Sequence, residues 1–336
     1  MPPVENDGAV GTAGHQPVML AEVLAALGPL PGRVVVDATF GGGGYSRAFL
    51  AAGAGKVIAI DRDPAAEARS RALADDPRFV FHAARFGDLA TVVRAHGLDA
   101  VDAVVLDLGT SSFQLDDPAR GFSWRGDGPL DMRMEGAGPT AADLLASLDA
   151  RALATILREF GDEPQAARIA RAVVHERARR PLRTTGELRD LILRVKGRGT
   201  RSIDPAAQTF QALRIAVNDE RGELERALVG ARAVLRPGGR IVVVSFHSGE
   251  DALVKRWVNA QGGRAPAFSR HRPIAAPAAP PAFAWLDRSA RQPGPAECLA
   301  NPRARSARLR VAVRLDDTGR DDADPEPLSS HPRIAA

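Results

Sequence analysis

Arg33-Val-Val-Val-Asp-Ala-Thr-Phe-Gly-Gly-Gly-Gly-Tyr45 runs from a short apolar segment straight into four consecutive glycines, and residues 45–52 beyond them read as a helix. A buried strand that turns into a helix through glycine is the opening unit of an open α/β sheet, and ligands of such sheets meet the chain at that turn. The alternation continues downstream. Lys56–Asp61, residues 78–82 and Val101–Asp107 are further runs rich in Val, Ile and Phe. Helices are expected over residues 64–74, with Asp63 as N-cap, and from about Asp88. Strands apolar on both sides call for a parallel sheet covered on both faces.

From about residue 140 to 201 only helical patterns occur. One begins at Asp149, one follows Pro164 with Ile169, Val173 and Val174 on one face, and one covers 185–195 and ends at Gly197. A further pair covers 205–217 and 220–235, after which a strand at 239–246, a helix at 250–259 and a last strand at 306–314 resume the first pattern. The last segment alternates apolar and basic residues, as a half-exposed strand would. The long Pro/Ala/Arg-rich connection at 261–302 reads as functional or mobile. The economical architecture is one α/β domain, 1–130 and 218–315, with an all-helical domain, 131–217, threaded into it.

Composition narrows the partners. Hydrophobic residues at 45% and charged residues at 26% exclude wholesale disorder. The net charge of +4 averages a body of +8 with a −4 tail at 316–336, whose acidity makes it an expected disordered segment. Twelve bases against two acids in 255–314, and eleven against three in 168–201, form two cationic zones that suit a polyanion. Single Cys298 allows no intrachain disulfide and fits a reducing cytoplasm, and seven histidines without ligand spacing lead to no expected metal. The first residues lack a signal-peptide pattern and no stretch is long enough to span a bilayer, so a cytoplasmic protein without membrane contact is expected, its oligomeric state open and a homodimer included.

The glycine turn lacks the Gly-Lys-Ser/Thr of a phosphate loop, and G-x-G-x-x-G fails because Ser46 takes its last position. Asp61, about twenty residues on at the end of the second run, can accept bonds from both ribose hydroxyls of an adenosine. Glycine turn and Asp61 together point to an adenosine ligand without a pyrophosphate cradle. S-adenosylmethionine suits that, with Asp37 near its amino-acid end, and a nicotinamide dinucleotide is the runner-up. Asp107, at the end of the fourth run, stands where amino-group methyltransferases carry Asn/Asp-Pro-Pro-aromatic, but no prolines follow it. The residues alone leave N-, O- and C-methylation open.

Longer blocks narrow the choice. The chain resembles the bacterial 16S rRNA cytosine-N4 methyltransferase family (RsmH, formerly MraW) from His15 to Leu315. The likeness runs through His15-Gln-Pro-Val-Met, Asp37-Ala-Thr-Phe-Gly-Gly-Gly-Gly, Ala59-Ile-Asp-Arg-Asp-Pro and Leu106-Asp-Leu-Gly-Thr-Ser-Ser. It continues through Arg120-Gly-Phe-Ser-Trp, Pro129-Leu-Asp-Met-Arg-Met, the 209–220 block, Ser245-Phe-His-Ser and Asn301-Pro-Arg-Ala-Arg-Ser-Ala-Arg. The resemblance implies a Rossmann-like class I methyltransferase sheet with an inserted helical domain that grips the ribosomal substrate. It implies S-adenosylmethionine held by Gly43, Gly44, Tyr45, Asp61, Phe86, Asp107 and Gln114, and N4-methylation of a cytidine, cytosine 1402, in the decoding region of 16S rRNA. Asp107 is expected to serve donor and target amine together, with His247 the second catalytic candidate. Phe122 and Trp124 are expected to stack on an unpaired base, and Arg303, Arg305, Arg308 and Arg310 to meet phosphates.

Two positions depart from the family pattern: Tyr45 replaces its usual His, and Gln208 replaces an Arg, a loss that Arg198 or Arg201 could offset. A catalytically altered RNA-binding member and a methyltransferase for another substrate are the alternatives.

Overall fold

The computed structural model describes residues 17–197, 204–262 and 280–316. His15, Arg198 and Arg201 lie outside the described residues, as do 263–279 of the 261–302 connection and 317–336 of the acidic tail. After α1 (Leu20–Leu27) the chain alternates β1 (Val34–Asp37), α2 (Gly44–Ala51), β2 (Lys56–Asp61), α3 (Pro64–Ser70), β3 (Phe79–Ala83), α4 (Leu89–Ala95) and β4 (Val101–Asp107). Asp63 caps α3 as its sequence position suggests, its side chain accepting from the Ala65 N–H at 3.0 Å.

Six helices follow β4: α5 (Ser112–Asp116), α6 (Ala141–Ser147), α7 (Ala150–Gly161), α8 (Ala166–Arg177), α9 (Thr185–Lys196) and α10 (Ala207–Asn218). The chain then returns through α11 (Glu220–Val234), β5 (Leu235–Ser245), α12 (Ser248–Gln261), β6 (Phe283–Trp285), α13 (Pro295–Ala300) and β7 (Arg308–Arg314). β5 starts ahead of its apolar run because α11 passes straight into it. Pro237-Gly238-Gly239 sits inside the strand, where its register against β4 slips between Val101 and Ala103.

The sheet order is β3-β2-β1-β4-β5-β7-β6, with β1 to β5 parallel and β7 antiparallel to both neighbours. Order reverses between β1 and β4, so the crevice that binds ligands in such sheets opens over Asp37 and Asp107. One face is sealed by α4, α11 and α12 through Leu89, Val93, Leu228 and Val254, the other by α1 and α2 through Val23, Leu27 and Phe49. Helices α6 to α10 have a core of their own, built on Leu153, Leu157, Ile169, Leu188 and Phe210.

β7 corrects the expectation of a half-exposed strand. It is an interior strand, and Leu309 to Val313 are all buried. Arg310 is buried because its guanidinium forks onto Asp251 of α12 at 2.5 and 3.0 Å and lies 5.5 Å from the Trp285 ring centroid. A buried Arg is tolerable only when paired this way. Arg310 is therefore not free for phosphate.

Candidate methyl-donor site

The turn between β1 and α2 is shaped by contacts that a side chain would obstruct. Gly43 has φ +78°, and a Cβ on it would meet the Phe40 ring at 2.6 Å; a Cβ on Gly44 would meet Pro17 at 2.3 Å. The turn is held in place by Asp61, whose Oδ2 accepts from the Gly41 N–H at 2.7 Å while its Oδ1 accepts from the Asp63 N–H at 2.8 Å. Each oxygen keeps a second lone pair, so anchoring the turn leaves acceptors for a ribose hydroxyl.

Below the turn, Asp37 is fully buried and accepts from the Ser46 hydroxyl at 2.7 Å. Burial outweighs that bond and pushes its carboxyl up to about 6. Asp61 is raised as well, by burial against its backbone donors. For Asp107, burial, then the charges of Asp37 and Glu250, push the carboxyl well above the usual carboxylate range. Its backbone N–H donates to Thr39 Oγ1 at 2.7 Å, and its Oδ1 is shut from solvent without a hydrogen-bond partner. None of these three carboxyls has an ion-pair partner among the described residues.

Other candidate residues divide between lining the crevice and supporting it. Half-buried Phe86 follows β3 and lines a cavity of about 30 Å3 with Thr39, Leu108, Gly109 and Met134. Arg62, which also lines it, is tied to the Asn218 carbonyl and to Glu135, each at 2.8 Å. Gln114 is buried and engaged: its Oε1 accepts from the Ser111 N–H at 3.1 Å and its Nε2 donates to Asp63 Oδ2 at 2.7 Å. Asp63 also pairs with Arg120 at 3.1 Å, so Gln114 carries the position of α5 to the N-terminus of α3. His247 lies just before α12 with its Nε2 3.1 Å from Glu250 Oε1. Burial pushes the Glu250 carboxyl up, but the His247 hydrogen bond and charge and the Arg214 charge outweigh it and hold Glu250 below its usual range.

Tyr45 does not face the crevice. Its ring is buried against Phe49, centroids 6.0 Å apart, and its hydroxyl donates to the Val18 carbonyl. Only the Tyr45 backbone is available to a ligand. Tyr45→Phe, which removes that one buried bond, should lower the melting temperature by roughly 2 °C, the scale of ~1 kcal/mol in a chain of this length. Thermal unfolding checks this, and an unchanged midpoint would mean the hydroxyl contributes nothing to the fold.

The aromatic pair is a second correction. Phe122 is 4% exposed and Trp124 packs edge-on against Phe210 with centroids 5.9 Å apart, so both belong to the helical core. Among the described residues the exposed aromatic is Phe113, which the sequence reading passed over; it carries the Arg69 guanidinium 4.5 Å from its ring centroid, beside Gly42. Sequence reading also missed Thr39, Ser46 and Asn218. Buried Asn218 accepts from the Met134 N–H at 2.8 Å and donates to the Met132 carbonyl at 2.7 Å, clamping the segment that closes the crevice. Arg303 is exposed and pairs with Asp116 at 2.6 Å, while Arg305 and Arg308 are exposed beside His247. Gln208 donates to the Asp162 carbonyl at 3.0 Å.

The MraW methylase family matches residues 12–315, nearly the whole described chain. The chain belongs to that family. Members similar to it include the ribosomal RNA small subunit methyltransferase H of Methylobacterium sp. (strain 4-46), 51% identical over 330 residues with 96% of each chain covered. The protein of the same name from Granulibacter bethesdensis is 52% identical over 314 residues, covering 92% of this chain and 94% of its own. A solved rRNA methylase from Streptococcus thermophilus is 13% identical with a TM-score of 0.40, over 90% of this chain and 99% of its own. As an MraW methylase the chain has a Rossmann-like methyltransferase sheet with a helical insert, and S-adenosylmethionine is its methyl donor. The crevice suits that donor: buried Asp37 and half-buried Asp61 and Asp107, none with an ion pair among the described residues, lie about the glycine turn, and the ligand brings a sulfonium and an ammonium. Uncompensated buried carboxyls favour a cation over a neutral or anionic guest.

Proposed function

We propose that this chain methylates the exocyclic N4 of a cytidine in the decoding region of small-subunit 16S rRNA, cytosine 1402, in the cytoplasm. The observation that carries the chemistry is Asp107, a raised carboxyl with an unpartnered Oδ1 at the end of β4. Bound S-adenosylmethionine would supply an electrophilic methyl group. It would be held by the backbone of Gly43, Gly44 and Tyr45, by Asp61 at the ribose, by Phe86 against the adenine and by Asp107, with Gln114 fixing the floor. The chain's own part is positioning and proton handling. The N4 lone pair is delocalised into the cytosine ring, and an acceptor at the amino hydrogens localises it. Asp107 Oδ1 accepts from that amine and takes its proton as the nitrogen becomes positive. His247, the second candidate, has its Nε2 3.1 Å from Glu250 Oε1, and in this reading it acts by fixing Glu250 at the crevice rather than by accepting from the amine.

The relatives' names supply the small-subunit rRNA substrate. Residues 1–130 and 218–315 act as the donor domain in this reading, and 131–217 as the substrate-gripping insert. A cytosine within a stack cannot reach the crevice, so the target is unpaired or flipped. The alternative of a catalytically altered member drew on Tyr45, and it loses that support because the ring is turned into the core.

The test is to incubate the full chain and methyl-labelled S-adenosylmethionine with 30S subunits and, separately, with naked 16S rRNA, then map the product by mass spectrometry. Label on one cytidine N4 is expected. Label on another base or atom, or none in cytidine, overturns the reading.

A further inference from the structure

The turn that carries Phe246 to Glu250 has two sides. On one, Glu250 lines the donor crevice with Leu108 and Gly109. On the other lies an open hollow of about 260 Å3, lined by Phe246, His247 and Ser248 and, across from them, by Gln292, Arg305, Ser306 and Arg308. Phe246 is the partition: its ring comes within 3.5 Å of where a Cβ on Gly109 would stand. Asp251 is the one acid in the lining, and the buried Arg310 fork already occupies both its oxygens. Arg308 approaches Asp251 only to 3.8 Å and is about half exposed. Arg305 is exposed and makes no ion pair among the described residues. The hollow therefore presents one guanidinium without an ion pair, Arg305, and a second, Arg308, held only by a long ion pair to Asp251, beside hydroxyl and amide groups, a set that suits a phosphodiester with its ribose.

We propose that this hollow seats the sugar–phosphate of the nucleotide flanking the target, with Arg305 and Arg308 on the phosphate and Gln292 and Ser306 at the ribose. The strand then crosses the Phe246 partition and the neighbouring base enters the crevice. A hollow of this size takes one nucleotide rather than a duplex, so the bound strand is single. The assignment rests on the rRNA reading above and extends it to a place on the molecule.

Two variants of the full chain test it from opposite directions. Arg305→Ala with Arg308→Ala removes the charge and keeps the space, and Gln292→Trp fills the space and keeps the charge. Binding of a fluorescein-labelled single-stranded RNA of the decoding-region sequence is titrated over a range of salt, and S-adenosylmethionine binding is measured by calorimetry as a check on the fold. Losing two phosphate contacts should flatten the slope of log K against log salt by roughly 1.4, about 0.7 for each contact on a single strand. Both variants should show it, with donor affinity at the wild-type value. A wild-type slope in the double variant, or wild-type RNA affinity in Gln292→Trp, overturns the proposal. If the flattening occurs while wild-type protein labels no rRNA, the hollow stands as an RNA site and the methylation reading falls. If wild-type protein labels rRNA and the slopes do not change, the reverse holds.

Discussion

Asp107→Asn should cut the rate of methyl transfer by about 10²- to 10⁴-fold, the range spanned by loss of a positioned general base. The substitution keeps shape and one acceptor oxygen but removes the ability to take a proton. The pH dependence separates this role from a merely structural one. Burial, with the Asp37 and Glu250 charges behind it, raises the Asp107 carboxyl well above its usual range. The protonated form cannot accept from an amine, so kcat/KM for S-adenosylmethionine should rise with pH through that raised value. A bound sulfonium beside the carboxyl favours its ionised form, so the same limb in kcat should lie at lower pH. Asp107→Asn should remove the limb from both profiles. A variant with wild-type rate, or one that keeps the limb, would end the assignment of Asp107 as proton acceptor.

Why could Asp107 be found from sequence when Arg310 could not? The strands of the parallel half announce themselves: each is a short run of Val, Ile and Leu buried on both faces, and a polar residue at the C-terminal end of such a run has no packing reason to be there. Asp37, Asp61 and Asp107 all stand out on this ground, and the cap at Asp63 follows from local chemistry alone. Arg310 depends on a partner 59 residues away on α12, and nothing local distinguishes it from exposed Arg308. Without that partner, alternating Arg reads as a solvent face. The same blindness placed Phe122 and Trp124 outside. Arg120 flanks them, yet it turns inward to Asp63 and to the Arg133 and Met134 carbonyls and takes the aromatics with it. Tyr45 follows the pattern, since its direction is set by the Val18 carbonyl, 27 residues away. β6, at three residues, is too short to carry a period.

Asp37→Asn should make the ligand-free protein more stable at pH 8 while removing most of the stabilisation that S-adenosylmethionine confers. A carboxyl raised to about 6 from 3.8 is neutral in the fold at a pH where the unfolded chain has already ionised it. Its contribution to stability is therefore fully present below about pH 4 and is lost as pH rises through 6. A shift of about two units corresponds to about 3 kcal/mol at most by pH 8. Asn keeps a partner for the Ser46 hydroxyl and has no charge to bury, so the gain over wild type should appear between pH 4 and 8 and vanish at the acid end. Retaining so unfavourable a charge makes physical sense only where a cation arrives to compensate it. Wild-type protein at a donor concentration of 100 Kd should gain about 2.7 kcal/mol, and the variant at the same concentration should gain little. Thermal melts across pH, with and without S-adenosylmethionine, read both effects. A variant that melts below wild type at pH 8 would make Asp37 a structural residue held for its Ser46 bond. An undiminished shift with the donor would move the ligand's cationic end elsewhere in the crevice, leaving Asp107 and Asp61 as the carboxyls that meet it.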